Sequence, residues 1–345
     1  MNFIIWNIIR NAELLNDSHV NCNVYGGSKK EMEKIEGKIF KEGLIEEDLT
    51  KIKKVSKGDV HSHCGLGMRF STFNKWAGGN VNKPPKKMDG IKGLDDYIFN
   101  ETMKYISKKE DIGFLIEETV KEAINDGVKV LGTSIDCHEL IRFPEKEEFF
   151  QTISNIRNKY IKYIDFRPEL GIPKNISNEN LDKLLIPCID SEVFHSMDLY
   201  GDETIDDFER FRDYYKYAKK KRLKLKAHAG EFQDAQNVKQ VIEVLEVDEI
   251  QHGIGAASSE YVMDLIKERN IRLNICPSSN YILGAVKDMK NHPARKLFHK
   301  GISLTVNTDD LLLFNSGVSE EYLFLYKLGL FTVDELNEIR KNSLV

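Results

Sequence analysis

Short apolar segments alternate with longer amphipathic segments along most of the chain. Eight short segments have the length and residue content of strands: Gly58–His63, Val128–Ile135, Tyr160–Phe166, Val193–Leu199, Leu223–His228, Glu249–His252, Ile271–Cys276 and Ile302–Thr308. Helical spacing of apolar residues marks four intervening segments: Phe114–Asp126, Ile205–Lys221, Ala235–Leu245 and Ser258–Arg269. Because strands that alternate with helices form parallel sheets, the pattern predicts an α/β fold. Eight such strands favour a closed (β/α)₈ TIM barrel over an open sheet.

Residues 1–55 form a charged extension before the first predicted strand. Within it, Met32, Ile35 and Ile39 have the spacing of one helix face. We therefore predict an N-terminal helical extension over residues 1–55 and a barrel over residues 56–345. The extension either covers the bottom of the barrel or joins subunits, which leaves a homo-oligomer open.

A second irregular segment, Trp76–Leu94, follows the first predicted strand and is rich in Gly, Pro, Lys and Asn. Long connections of this kind are either functional lids or plain surface loops. Both interpretations stay open from the sequence: a lid over the mouth of the barrel, or a loop without a role.

Composition and charge narrow the range of partners. The 345 residues are 41% hydrophobic and 30% charged, which allows a large core under a polar surface. The net charge is −5, and Lys and Arg are scattered, so we expect neither nucleic acid nor a membrane surface as a partner. Five cysteines without a CxxC pair favour free thiols in a reducing compartment, and we predict a cytoplasmic protein. A small neutral molecule is the expected substrate.

Histidine or aspartate closes four of the predicted strands. His61 and His63 are two residues apart, so on a strand their side chains point to the same face. His228 and His252 each end another strand, and Asp309 ends the last one. Each of these residues alone is compatible with a structural role. Active sites of these barrels lie at the carboxyl ends of the strands, so four such ends together predict one site.

The types of these residues predict a metal centre. Three imidazoles and one carboxylate form a set suited to a single zinc ion, with positions left open for water: His61, His63, His228 and Asp309. Glu231 and His252 remain as acid or base groups, and Asp310 remains as a hydrogen-bonding partner for substrate. The expected chemistry is metal-assisted hydrolysis, with one Zn²⁺ per chain.

The sequence resembles the adenosine deaminase family in five blocks, which occur in the family's order over roughly residues 55 to 345. The blocks are Gly58–His63, Asp198–Ile205, His228–Glu231, Cys276–Asn280 with the nearby Gly284-Ala285, and Asn307–Asp310. The resemblance implies that His61, His63, His228 and Asp309 hold zinc. It also implies that the substrate is a purine nucleoside, deaminated to the inosine-type product and ammonia.

The resemblance further implies roles for four residues around the purine. Glu231 would be the protonated acid that donates to N1, and His252 would orient or deprotonate the attacking water. Asp310 would contact N7. The backbone N–H of Gly201 would meet N3, since a glycine permits close approach of the backbone.

One departure from the family leaves the sugar side of the substrate open. The family commonly has a carboxylate for the ribose two residues after the second histidine, but Gly65 stands there. Adenine as the free base and 5′-modified adenosines are therefore alternatives to adenosine. A two-metal amidohydrolase is disfavoured because Val193–Leu199 lacks the bridging lysine. A non-catalytic nucleoside-binding protein is disfavoured because Glu231 and the zinc ligands are all present.

Overall fold

The computed structural model describes residues 29–345. Eight parallel strands follow one another around the sheet in chain order. They are β1 Lys57–Asp59, β2 Val128–Asp136, β3 Asp165–Pro173, β4 Ser196–Tyr200, β5 Lys224–Ala229, β6 Glu249–His252, β7 Arg272–Ile275 and β8 Leu304–Val306. The predicted (β/α)₈ barrel is confirmed.

Helices connect the strands and surround them. The α-helices are Lys29–Ile45, Leu49–Lys53, Phe70–Trp76, Gly90–Tyr97, Lys109–Asn125, Lys146–Tyr160, Asn178–Asn180, Ile186–Asp190, Arg212–Lys220, Ala235–Leu245, Glu260–Glu268, Pro277–Ile282, Ala294–His299, Leu311–Phe314, Val318–Lys327 and Val333–Asn342. Apolar side chains between strands and helices form one continuous core. Within residues 29–345, no helix has the length and apolar character needed to cross a membrane.

The predicted third strand was placed too early along the chain. Tyr160 ends the helix Lys146–Tyr160, and the strand β3 begins only at Asp165. Pro168 makes the sequence look unsuitable for a central strand, because proline cannot donate to a ladder. In the structure, the carbonyl of Pro168 accepts from His195 N at 2.8 Å, just before β4 begins. Pro168 therefore contacts the segment before β4 through its carbonyl alone, and the pairing of β3 with β4 begins one residue later, at Glu169.

Strands β1 and β8 meet just beyond their carboxyl ends. Ser62 and Asp309 form a parallel bridge. Asp309 N donates to His61 O at 3.0 Å, and His63 N donates to Asp309 O at 3.3 Å. The hydrogen bonds between these two segments therefore join the backbones of candidate metal ligands. The fold thus fixes the distance of the Asp309 backbone from those of His61 and His63.

Below the mouth, the interior of the barrel contains paired charges. Lys226 Nζ contacts a carboxylate oxygen of Glu169 and donates to Val60 O at 3.0 Å. Glu249 accepts from Arg272 at 2.7 Å and lies 3.4 Å from Lys226 Nζ. Each buried charge has an opposite charge and hydrogen bonds, which burial of ions requires. This layer forms a rigid polar floor beneath the candidate site.

The last helix, Val333–Asn342, lies across the amino ends of the strands. Gly58 N donates to Ser343 Oγ at 2.7 Å. Asn342 Nδ2 donates to Leu304 O at 3.0 Å. The chain terminus thereby holds β1 and β8 together at the bottom of the barrel.

The described part of the N-terminal extension packs near the same end. In the helix Lys29–Ile45, the ring of Phe40 meets Tyr322 edge-on, with ring centroids 5.2 Å apart. Glu36 accepts from Ser56 Oγ at 2.5 Å. These contacts favour the interpretation that the extension covers the barrel bottom. Residues 1–28, which belong to the same predicted extension, lie outside the described residues.

The irregular segment after the first strand lies at the opposite end. Residues 77–89 connect two short helices. Met88 N donates to Ile282 O at 2.9 Å. Lys87 Nζ lies 3.0 Å from the ring centroid of Tyr281. Because these partners belong to the connection that follows β7, the segment lies at the barrel mouth, which favours the lid interpretation.

The bottom contact gives a first test of the fold. In Gly58→Ala, the new Cβ would lie 2.1 Å from Ser343 O, so the backbone of the last helix must shift. We expect a loss of about 1–3 kcal/mol in the free energy of unfolding, the usual cost of overpacking. Urea denaturation measures the change.

Gly113→Ala is the matched control for this test. Gly113 lies within the helix Lys109–Asn125, and the new Cβ would meet only Thr152 Cγ2, at 3.4 Å. Alanine in a helix interior is better than glycine by up to about 1 kcal/mol. Equal stability of the two variants would contradict the close contact between β1 and the chain terminus.

Candidate active site

The four predicted metal ligands meet at the barrel mouth. His61 and His63 follow β1, His228 lies near the end of β5, and Asp309 follows β8. Their donor atoms all lie within 4.8 Å of one another. Asp309 Oδ1 is 3.4 Å from His61 Nε2 and 3.2 Å from His63 Nε2. The structure thus gathers residues that are nearly 250 positions apart in the chain.

The hydrogen bonds behind the histidines direct their lone pairs inward. His61 Nδ1 lies 3.2 Å from Asn274 O, a pure acceptor, so Nδ1 carries the proton. His228 Nδ1 lies 3.2 Å from Asp198 Oδ1, which assigns its proton in the same way. Both Nε2 atoms then present lone pairs to each other at 3.1 Å. Two facing lone pairs repel, and a cation between them removes the repulsion.

The donor set therefore fits a metal ion. Neutral imidazoles whose outer nitrogens bond to a carbonyl or carboxylate are the usual form of metal-ligating histidine. His61, His228 and Asp309 are almost fully buried, whereas the side chain of His63 is 17% exposed. A nitrogen-rich set with one carboxylate suits zinc.

Two residues of the site have unusual backbone conformations. His252 has φ 62° and Asp309 has φ 59°, in the left-handed region that non-glycine residues seldom adopt. Such strain persists where surrounding structure holds it, and it is concentrated at functional sites. His252 ends β6, and Asp309 lies three residues after the end of β8.

Glu231 lies beside the donor cluster and is buried. Its Oε2 is 3.5 Å from His252 Nε2, and its Oε1 accepts from Asn280 Nδ2 at 2.9 Å. Burial raises the pKa of Glu231 well above its ordinary value, and the carboxylates of Asp309 and Glu203 add to the effect. This shift favours the protonated form of Glu231, the form that can donate a proton.

The segment after Glu231 is held by the carboxylate of Glu203. Glu203 accepts from the backbone N–H groups of Glu231, Phe232 and Gln233 at 2.9, 2.8 and 2.9 Å. Three bonds to a single carboxylate fix the turn that follows β5. The position of the Glu231 side chain depends on this turn.

His252 is a neutral imidazole at the end of β6. Burial lowers its pKa well below the ordinary value, and the neighbouring imidazoles lower it further. Asn280 Nδ2 lies 3.1 Å from His252 Nδ1, while Asn280 Oδ1 faces His292 Nε2 at 3.3 Å. With the amide assigned in this way, His252 Nδ1 accepts and Nε2 carries the proton. His252 Nε2 lies 3.5 Å from Glu231 Oε2 and 3.9 Å from Asp309 Oδ2.

Asp310 directly follows Asp309, and Gly201 directly follows Tyr200, whose ring lies beside His63 and His228. Burial and the adjacent Asp309 raise the pKa of Asp310 to about 8, so this carboxyl is also a donor at neutral pH. Its Oδ1 is buried and has no hydrogen-bond partner among residues 29–345. Gly201 directly follows β4 with φ 102°, a conformation that glycine adopts without strain.

Sequence reasoning missed three residues that support the site. Asp198 bonds to His228, Glu203 holds the Glu231 turn, and Asn280 bonds to both Glu231 and His252. All three lie within the sequence blocks that carry the family resemblance. Their position inside these blocks was the available sign that they support the site. The sequence did not show which residues they contact, because those partners are 25 or more residues away in the chain.

Comparison with known proteins gives a consistent result. Residues 86–345 match the family model described as adenosine deaminase. A putative adenosine/adenine deaminase of Treponema pallidum (strain Nichols) is 35% identical over 277 residues, which cover 80% of this chain and 93% of the relative. The match to the family model begins after His61 and His63, so the candidate role of these two residues rests on geometry and on the sequence block.

Two solved structures share the fold. Adenine deaminase from Arthrobacter aurescens has a TM-score of 0.74 at 20% identity, covering 84% of this chain and 92% of that one. The N6-mAMP deaminase of Arabidopsis has a TM-score of 0.73 at 18% identity, covering 85% and 93%. By name these proteins act on a base and a nucleotide respectively, so the barrel alone does not define a substrate.

Proposed function

The chain belongs to the adenosine deaminase family, and on this premise we propose that it deaminates a 6-aminopurine nucleoside. In the proposed reaction, water adds at C6 of the purine and the C6–N6 bond breaks. The products are the 6-oxopurine nucleoside and ammonia. Adenosine or a close relative is the proposed substrate, and adenine as the free base is the second candidate.

The observation that carries the proposal is a buried glutamate, Glu231, beside a buried cluster of metal-ligand type. Glu231, His252 and Asp309 each offer a donor atom within 4.8 Å of the others. An acid kept protonated by burial is suited to proton donation. Protonation of purine N1 by Glu231 would make C6 electrophilic, directly beside the ligand cluster.

The remaining polar groups match the purine ring. N1, N3 and N7 of adenine are all acceptors, so a site that reads the ring must offer donors at three edges. Glu231 and Asp310 would supply protonated carboxyl groups to N1 and N7, and Gly201 would supply its backbone N–H to N3. The raised pKa of each carboxyl group is what allows it to donate.

We propose one zinc ion per chain, held by the three imidazoles of His61, His63 and His228 and by Asp309. When bound, zinc would supply the Lewis acidity that lowers the pKa of water from 15.7 to about 7. The N–H of His252 Nε2 would then orient the attacking oxygen and stabilise negative charge that develops there. Strand β4 contains no lysine, so a lysine-bridged pair of metals is not part of the proposal.

The proposal is tested by ammonia release and by the ultraviolet change from adenine-type to hypoxanthine-type absorption. The purified protein, supplied with zinc, is assayed with adenosine, 2′-deoxyadenosine, adenine and 5′-substituted adenosines. We expect a nucleoside to give the highest kcat/KM. No turnover of any of these compounds by the zinc-loaded protein would reject the proposed function, and adenine alone as substrate would select the second candidate.

A further inference from the structure

A carboxylate outside the predicted site lies at the carboxyl end of β2. Successive residues of a strand point to opposite faces, so Gly132, Ser134 and Asp136 share one face of β2. That face is the barrel interior, because a Cβ on Gly132 would lie 2.6 Å from Glu169 Oε1 of the interior charge layer. Asp136 is therefore an inward-directed residue at the mouth, one layer above Ser134.

Tyr200 connects Asp136 with the metal-ligand cluster. The ring centroid of Tyr200 is 5.3 Å from that of His63 and 6.0 Å from that of His228. The Tyr200 hydroxyl donates to Asp136 Oδ2. Asp136 is thus separated from the cluster by the length of one phenol ring.

The Asp136 carboxylate is not fully satisfied by the protein. Its Oδ1 accepts from His138 N at 2.7 Å and from His138 Nδ1 at 2.9 Å. Its Oδ2 accepts only from Tyr200 among the bonds found in residues 29–345. An ionised carboxylate has about four acceptor positions, so one remains on Oδ2. The side chain is 31% exposed, so this position is accessible from the mouth.

A second polar group without a partner lies in the layer below. Ser134 Oγ is buried and has no hydrogen-bond partner within the described chain. A Cβ on Gly171 would lie 2.6 Å from Ser134 Oγ and 3.0 Å from Tyr200 Cε1, so the serine is adjacent to the tyrosine ring. The wall formed by β2, β3 and β4 therefore contains one acceptor position on Asp136 Oδ2 and one hydroxyl, Ser134 Oγ, without a partner in the described chain.

We propose that Asp136 accepts a hydrogen bond from a ribose hydroxyl and restricts the substrate to neutral ribonucleosides. The inference rests on the proposed function, because it uses the purine orientation given above. N3 and N9 of a purine are both bonded to C4, so the sugar leaves the ring beside the N3 edge. Gly201, the proposed N3 partner, directly follows Tyr200, whose hydroxyl bonds to Asp136. The sugar therefore emerges toward Asp136.

The charge at this position distinguishes a sugar from a phosphate. A carboxylate is a strong acceptor for hydroxyl groups and repels a phosphate dianion. The imidazole of His138 is already paired with Asp136 through its Nδ1. Gly65 offers no side-chain acceptor at the end of β1, so Asp136 on the adjacent strand supplies the acceptor at this side of the mouth.

The test is a double-mutant cycle between Asp136 and the sugar hydroxyls. The zinc-loaded wild type and Asp136→Ala are assayed with adenosine and with its 2′-deoxy, 3′-deoxy and 5′-deoxy analogues. We expect Asp136→Ala to lower kcat/KM for adenosine roughly tenfold to a hundredfold, as loss of a hydrogen bond to a charged group does. Removal of the contacted hydroxyl should lower kcat/KM of the wild type by a similar factor and leave kcat/KM of Asp136→Ala almost unchanged.

Asp136→Asn tests the charge with little change of shape. We expect the wild type to prefer adenosine over adenosine 5′-monophosphate on the order of a hundredfold, and the variant to reduce this ratio about tenfold. Asp165→Asn is the matched control, since Asp165 begins β3 at the opposite end of the barrel and is exposed. It should leave every kcat/KM unchanged.

Failure of this inference differs from failure of the proposed function. A wild type that deaminates adenosine, with losses from Asp136→Ala equal for all analogues, would overturn the role of Asp136 alone. A preference of the wild type for the 5′-monophosphate would overturn it as well. Thermal melting of each variant separates a loss of stability from a loss of binding, because only the latter depends on which hydroxyl is present.

Discussion

Glu231→Gln is expected to retain the metal and to lose roughly 10²–10⁴-fold in kcat, the usual contribution of a positioned general acid. The glutamine amide keeps the size of the side chain and can accept the contact from Asn280 Nδ2. It has no proton to transfer to purine N1. Because Glu231 is not among the four clustered ligands, bound zinc should be unaffected. Steady-state kinetics with adenosine and metal analysis of the same sample measure both results.

Glu243→Gln provides the matched control for this substitution. Glu243 lies on the helix Ala235–Leu245, in the connection that follows β5, and its side chain is 47% exposed. It should show unchanged kcat and unchanged metal content. If Glu231→Gln had the turnover of the wild type, the assignment of Glu231 as proton donor would be wrong. Loss of metal from Glu231→Gln would instead mean that Glu231 belongs to the metal centre.

His228→Ala is expected to lose the metal, and with it nearly all activity. The substitution removes one of three imidazoles and leaves His61 Nε2 without its 3.1 Å neighbour. It also leaves the buried Asp198 without the partner at 3.2 Å, so a carboxylate remains uncompensated. Loss of metal assistance corresponds to several kcal/mol in the barrier, on the order of 10⁴-fold in rate.

Metal content after dialysis against a weak chelator measures the first effect, and turnover on addition of excess zinc measures the second. His299→Ala is the control, because His299 is on the surface helix Ala294–His299 with a 49% exposed side chain. The control should keep both metal and activity. Full metal content in dialysed His228→Ala would exclude His228 as a ligand, and would require a different set of donors.

The two variants are informative together because they separate chemistry from binding of the ion. Glu231→Gln should be inactive with metal present, and His228→Ala should be inactive because the metal is absent. Excess zinc should restore part of the activity only to His228→Ala. If Glu231→Gln lost the metal and His228→Ala kept it without activity, the roles assigned to the two residues would have to be exchanged.

Much of the fold could be predicted from local patterns. The helix Ala235–Leu245 and the strand β6 have the bounds that apolar spacing predicted. Both are short segments with one strong periodicity and clear polar ends. The third strand was placed too early, because Tyr160 ends a helix and β3 begins only at Asp165.

The candidate site divides in the same way. His61, His63, His228 and Asp309 could be predicted as a set, because strand ends in a parallel barrel all face the same mouth. The raised pKa of Glu231 could not be predicted from spacing and residue type. It depends on burial and on the carboxylates of Asp309 and Glu203. Those neighbours come from other strands.

The sequence by itself determined the alternation of strands and helices, the positions of the ligand-type residues at strand ends and the family blocks. These are properties of spacing and residue type, which the chain carries locally. Only the tertiary structure decided which side chains share a cavity, which acids are neutral and where Asp136 points. Such properties arise from distances between segments remote in the chain and from exclusion of water, and closure of the barrel sets both.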